Sequence, residues 1–180
     1  MKTKTAELTK TAFFTALMAV LAQIAIPLPI SPVPFTLQVF GVLLAGVILS
    51  PKAALLSVFC YLLLGAAGVP VFAAARGGLQ VIFGPTGGYL LGFLPGIFFL
   101  SKMTESKGKN NFMLATSMLL FVMIVYTCGA IQLSLVMKLD FKQTMLAGVI
   151  PYIPFDLVKI LATIPLANRL KELNARLKTG

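Results

Sequence analysis

The chain contains no histidine and no tryptophan, and its acidic residues are only Glu7, Glu105, Asp140, Asp156 and Glu172. Without histidine there is no imidazole-based nucleophile system and no histidine zinc site. Asp156 is the one carboxylate inside an apolar run, so no paired-carboxylate centre for acid–base work exists within such a segment. A Gly-x4-Gly-Lys-Ser/Thr phosphate loop is also missing, which leaves any ATP-driven work to another subunit. Cys60 and Cys128 stand alone in apolar runs and read as small fillers, not as a disulfide framework or metal ligands. These absences argue against an enzyme, a metalloprotein and a self-powered pump.

What is abundant is apolar surface. Hydrophobic residues make up 58% of the chain and charged residues 11%, with a mean hydropathy of +0.96. A soluble domain carries about 25% charge. The composition therefore predicts an all-α polytopic membrane protein that forms one domain over residues 1–180. Six runs approach the roughly 20 apolar residues that a membrane span needs: residues 9–26, 35–49, 52–66, 85–100, 112–137 and 154–170. The second, third and fourth are short and are separated by Gly and Pro. Broken spans of this kind mark backbone that lines a cavity rather than lipid. The first run follows a lysine-bearing head but has no small-x-small cleavage site, so it reads as a retained helix.

The net charge of +10 follows the loops. Lys2, Lys4 and Lys10, then Lys52, then Lys102, Lys107 and Lys109, then Arg169, Lys171, Arg176 and Lys178 fall on one side of the six-span scheme. Only Arg76, Lys138 and Lys142 fall on the other. The positive-inside rule then places both termini in the cytoplasm, in a cell membrane. Charges divided among loops suit anionic lipid heads and do not form a nucleic-acid footprint.

Three features carry candidate chemistry. Asp156 and Lys159 lie one helical turn apart in PYIPFDLVKILATIPLA. Each charge at mid-membrane costs roughly 2.5–3.5 kcal/mol even on the lenient insertion scale, so the pair is either a ligand or ion site or a self-satisfied packing pair. Pro154 suits a first helical turn, where the helix dipole favours Asp156 and disfavours Lys159. The second feature is the Gly/Pro-rich outer loop between the third and fourth spans, which reads as structured and dips toward the bilayer. Its Arg76 is either a headgroup anchor or the partner of a ligand carboxylate. Tyr61, Tyr89, Tyr126 and Tyr152 fit an interfacial belt by default, with cavity lining as the alternative, and Tyr89 beside the loop is the preferred pocket residue. The third feature is the small-x3-small spacing of Ala12 and Ala16, continued by Ala19, which permits close helix approach in lipid.

The stretch over residues 33–93, with GVPVF and GPTGGYL, together with the later PFDLVK, resembles the biotin-specific S-component of energy-coupling factor (ECF) transporters, the BioY family. The segment Ser50 to Ala54 and Arg76 depart from the family's usual residues. The resemblance implies a six-helix subunit that captures biotin from outside. A transmembrane coupling protein and two ABC ATPases would power it, and Ala12, Ala16 and Ala19 would dock on the coupling protein. It implies no cofactor and no metal, and it adds weight to Asp156 and Lys159 within a candidate ligand set of Asp156, Lys159, Tyr89, Gln38 and Arg76. Asp156 would accept from the ureido N–H groups, and Lys159 would meet either the ureido oxygen or the carboxylate. An S-component for another vitamin is the nearest alternative. A lipid-modifying intramembrane enzyme is remoter, because the clustered acids it needs are missing.

Overall fold

The structure is a computed structural model that describes residues 2–107 and 110–179; residues 2, 3, 106, 107, 171 and 173–179 are described by their backbone alone. Lys2, Lys107, Lys109, Lys171, Arg176 and Lys178, which enter the charge count above, have side chains outside the described residues. Helices α1 (Lys2–Gln23), α2 (Gln38–Ile48), α3 (Pro51–Ala66), α4 (Leu79–Ile82), α5 (Gly87–Lys107), α6 (Asn111–Met137), α7 (Phe141–Gly148) and α8 (Ile153–Thr179) make up most of the chain. A hairpin of β1 (Ala25–Leu28) and β2 (Ser31–Thr36) joins α1 to α2.

That hairpin corrects the all-α expectation and the extension of the first helix to residue 26. Pro27 and Pro29 lack the N–H a helix needs, and each disfavours helical backbone in the residue before it. The chain therefore leaves the helix at Gln23 and pairs antiparallel, with Ala25 opposite Thr36, Ile26 opposite Phe35 and Leu28 opposite Ser31. The register shifts between Ile26 and Leu28, at Pro27. The short helix α7 was also not anticipated, although it carries its own signal. Asp140 caps it by accepting from the Gln143 N–H at 2.7 Å, and the Gln143 side chain accepts from the Asp140 N–H at 3.1 Å.

Among the described residues three helical segments are long and apolar enough to cross a bilayer: Lys4–Gln23, Asn111–Met137 and Phe141–Leu170, with mean hydropathies of 1.2, 2.2 and 1.6. The 11 residues of α2 rise only about 16 Å, half a hydrocarbon core.

Among the described residues the most extensive helix packing is between α5 and α6. A Cβ on Gly92 would lie 3.1 Å from the Val125 Cα, and one on Gly96 would lie 2.7 Å from the Phe121 ring. Glycines four apart thus let α6 approach the α5 backbone, and Phe93 stacks on Phe121 at 6.1 Å. Within α1, Thr11 and Thr15 donate to the Glu7 and Thr11 carbonyls at 2.9 and 3.0 Å, which satisfies hydroxyls that would otherwise lie bare in an apolar setting. Thr15 also reaches the Ser57 carbonyl of α3 at 3.0 Å. This contact fixes which face of α1 turns inward: Phe14, Met18 and Ala22 are buried, Ala12 and Ala16 are exposed, and Ala19 is half-buried.

Candidate ligand site at the head of the helices

Asp156 lies in the first turn of α8 and Lys159 one turn later, both buried. The Lys159 Nζ donates to Asp156 Oδ1 at 2.7 Å, an ion pair buried on both sides. The other carboxylate oxygen, Oδ2, accepts from the Tyr126 hydroxyl of α6 at 2.6 Å. The ammonium also sits 4.4 Å from the centre of the Phe35 ring on β2, a cation–π contact, and Phe155 packs on Phe35 at 4.7 Å. Charge at this depth is therefore held by one anion, one phenol and one aromatic face. A carboxylate offers about four lone-pair sites, so Asp156 keeps acceptor capacity beyond these two bonds.

The pair opens into a cavity. Gln38, at the start of α2, lines it, accepting from the Thr36 hydroxyl at 3.2 Å and donating to the Tyr61 hydroxyl. Tyr61, fully buried on α3, donates in turn to the Val71 carbonyl at 2.9 Å. A hydrogen-bond chain thus ties the cavity floor to the loop between α3 and α4. From that loop Phe72 and Arg76 form one wall, while Tyr89 and Phe93 of α5 form another. The Tyr89 ring faces the cavity and its hydroxyl donates to the Gly148 carbonyl at the end of α7, 2.8 Å away. Tyr152 closes the side next to the hairpin, bonded to the Val33 carbonyl and lying 2.7 Å from the Ser31 hydroxyl. The deep part encloses about 80 Å³. It shares Arg76, Val81 and Thr86 with a more open cleft of about 530 Å³.

All five residues expected to form the ligand set, Asp156, Lys159, Tyr89, Gln38 and Arg76, therefore line this one cavity. Arg76 differs from the rest in being exposed. The belt expected of the tyrosines is corrected: Tyr89, Tyr126 and Tyr152 line the cavity and Tyr61 lies buried behind it, each with its hydroxyl hydrogen-bonded. Tyr126 and Tyr152 line the cavity although neither was in the expected ligand set. The available signal was their place amid apolar runs, where a phenol needs a partner. No group of three metal-ligating side chains gathers among the described residues.

The BioY family model matches residues 1–176. The chain belongs to the BioY family. The biotin transporter BioY of Thermotoga maritima is 43% identical over 93% of this chain and 96% of its own length. A probable biotin transporter BioY of Pyrococcus horikoshii is 39% identical over 93% and 98%. Among solved structures, the S-component for biotin from an ECF-type ABC transporter is similar at a TM-score of 0.90 and 32% identity, covering 95% of this chain and 93% of that one. Membership of this family, together with the apolar helices above, makes this a membrane protein of a transporter family.

Proposed function

We propose that the protein is the substrate-binding subunit of an ECF-type transporter and that it captures biotin in the cavity above α8. The observation that carries this reading is the buried Asp156–Lys159–Tyr126 cluster opening into an aromatic-walled cavity, in a chain of the BioY family. Biotin joins an apolar bicycle to a ureido group and a carboxylate tail, which asks for apolar walls and a few directed polar groups. Asp156 accepts from a ureido N–H. Lys159 is already neutralised by Asp156, and a ligand carboxylate placed there would face a second carboxylate in low dielectric. Arg76 stands at the mouth with no ion-pair partner among the described residues, so the tail carboxylate runs toward it through the open cleft.

The rest of the transporter follows from the same reading. Helices α1, α2, α3, α5, α6 and α8 supply six spans, with both termini in the cytoplasm and the cavity on the outer face. The Gly/Pro-rich loop before α5 closes the outer side. A transmembrane coupling protein and two ABC ATPases supply the work, and the exposed Ala12 and Ala16, with Ala19, form the surface that meets the coupling protein. Mass spectrometry of the small molecule that co-purifies with the detergent-solubilised protein tests the ligand. Biotin is expected, and a different vitamin at stoichiometric occupancy would keep the subunit type and overturn the substrate.

A further inference from the structure

The loop over residues 70–76 walls the cavity in a backbone conformation that its own residues do not favour. Ala74 and Ala75 have φ of 57° and 54°, the left-handed region that a Cβ penalises. Neither side chain can hydrogen-bond locally to offset the strain, so the conformation needs a restraint from elsewhere. The base of the loop is held by the core. Phe72 is buried with its ring edge-on to Tyr61 at 5.5 Å, and its N–H donates to the Arg76 carbonyl at 2.9 Å. The crest is held by one side chain from another element. Gln23, the last residue of α1, accepts from the Ala75 N–H at 2.9 Å and places its amide nitrogen 3.3 Å from the Phe72 carbonyl and 3.4 Å from that of Pro70. The same nitrogen donates to the Ala19 carbonyl at 2.9 Å, anchoring the carboxamide to its own helix.

We propose that Gln23 is a positioning residue for ligand capture: its carboxamide clamps the crest at Ala75 and thereby sets where the next residue, Arg76, stands in the cavity wall. The clamp rests on the reading of this cavity as the biotin site. It also ties the outer end of α1, the helix that carries the Ala12 and Ala16 face, to the wall of the cavity. A shift of that helix end relative to α3 would pull on Arg76 while leaving Phe72 seated against Tyr61. Gln23 is the α1 side chain whose hydrogen bonds reach the crest of this loop.

The test uses the purified full-length protein in detergent, as wild type and as Gln23→Ala, each with and without Arg76→Ala. Stopped-flow kinetics with biotin and amide hydrogen exchange at residues 73–76 are the readouts. Loss of these neutral hydrogen bonds should raise the dissociation rate about tenfold while the association rate changes much less. The Ala75 amide should lose protection. In the Arg76→Ala background Gln23→Ala should change dissociation by less than about twofold, because the two act as one unit. An unchanged dissociation rate, or the same factor in both backgrounds, overturns the clamp. If the wild type does not bind biotin, the reading of the cavity fails, and exchange alone then judges the clamp: unchanged protection at Ala75 overturns it and lost protection upholds it.

Discussion

At the scale of single residues the cavity is organised around Asp156, which its protein partners hold in place for the ligand. Its carboxylate serves Lys159 through one oxygen and Tyr126 through the other, so any ligand donor joins a site already partly satisfied. A hydrogen bond to a charged acceptor contributes about 1.5–3 kcal/mol, and Tyr126→Phe should therefore weaken biotin binding about tenfold or more, read by titration calorimetry. Tighter binding in that variant would make the phenol a competitor of the ligand rather than its support. Removing one partner of a buried pair strands the other at a cost of about 3–5 kcal/mol, whereas replacing both is far milder. Lys159→Met should thus lower the unfolding temperature in detergent more than the double change Asp156→Asn with Lys159→Met. Equal losses would show that the pair is not coupled. The charged pair was legible in the sequence because its two residues lie one helical turn apart in an apolar run, where charge is costly. Tyr126 was not, since 30 positions separate it from Asp156 and only the α6–α8 packing brings the two together.

At the scale of elements, the long apolar helices were legible, the short α4 and α7 were not, and the places where the helices break were legible only in part. Apolar run length marks a helix well, but it carried the first helix past Gln23 because Ile24, Ala25 and Ile26 are as apolar as the residues before them. The prolines that end it signal only a break, and pairing into a hairpin is a tertiary choice that no single strand announces. The αL alanines of the loop over residues 70–76 were illegible for a similar reason, since alanine carries no signal for positive φ. That loop and its continuation to residue 88 should gain hydrogen-exchange protection when biotin binds, because the ligand replaces open cleft with contact. Equal exchange with and without biotin would leave the loop a fixed wall. The α5–α6 seam makes a separate demand. Gly96→Leu drives a side chain into the Phe121 ring and should destabilise the protein by about 1–3 kcal/mol or more, seen as a lower unfolding temperature; wild-type stability would contradict the close approach.

At the scale of the whole molecule, the proposed function assigns ligand binding and coupling to different faces. The cavity gathers residues from the hairpin, α2, α5, α6 and α8, whereas Ala12 and Ala16 point away from it on the exposed side of α1. Ala16→Trp should therefore leave biotin binding by the isolated protein intact while uptake and co-purification with the coupling protein fall. Lost binding with intact assembly would reverse that division. The central claim, that biotin is held through the buried pair of α8, is tested most directly by calorimetry of biotin against the wild type, Asp156→Asn and Lys159→Met, with folding of each checked by thermal unfolding. Truncating one side of a desolvated charged contact costs about 2–5 kcal/mol, so each single variant should bind about 30-fold to several thousandfold more weakly than a saturable 1:1 wild type. Near-native affinity in both folded variants would contradict the account.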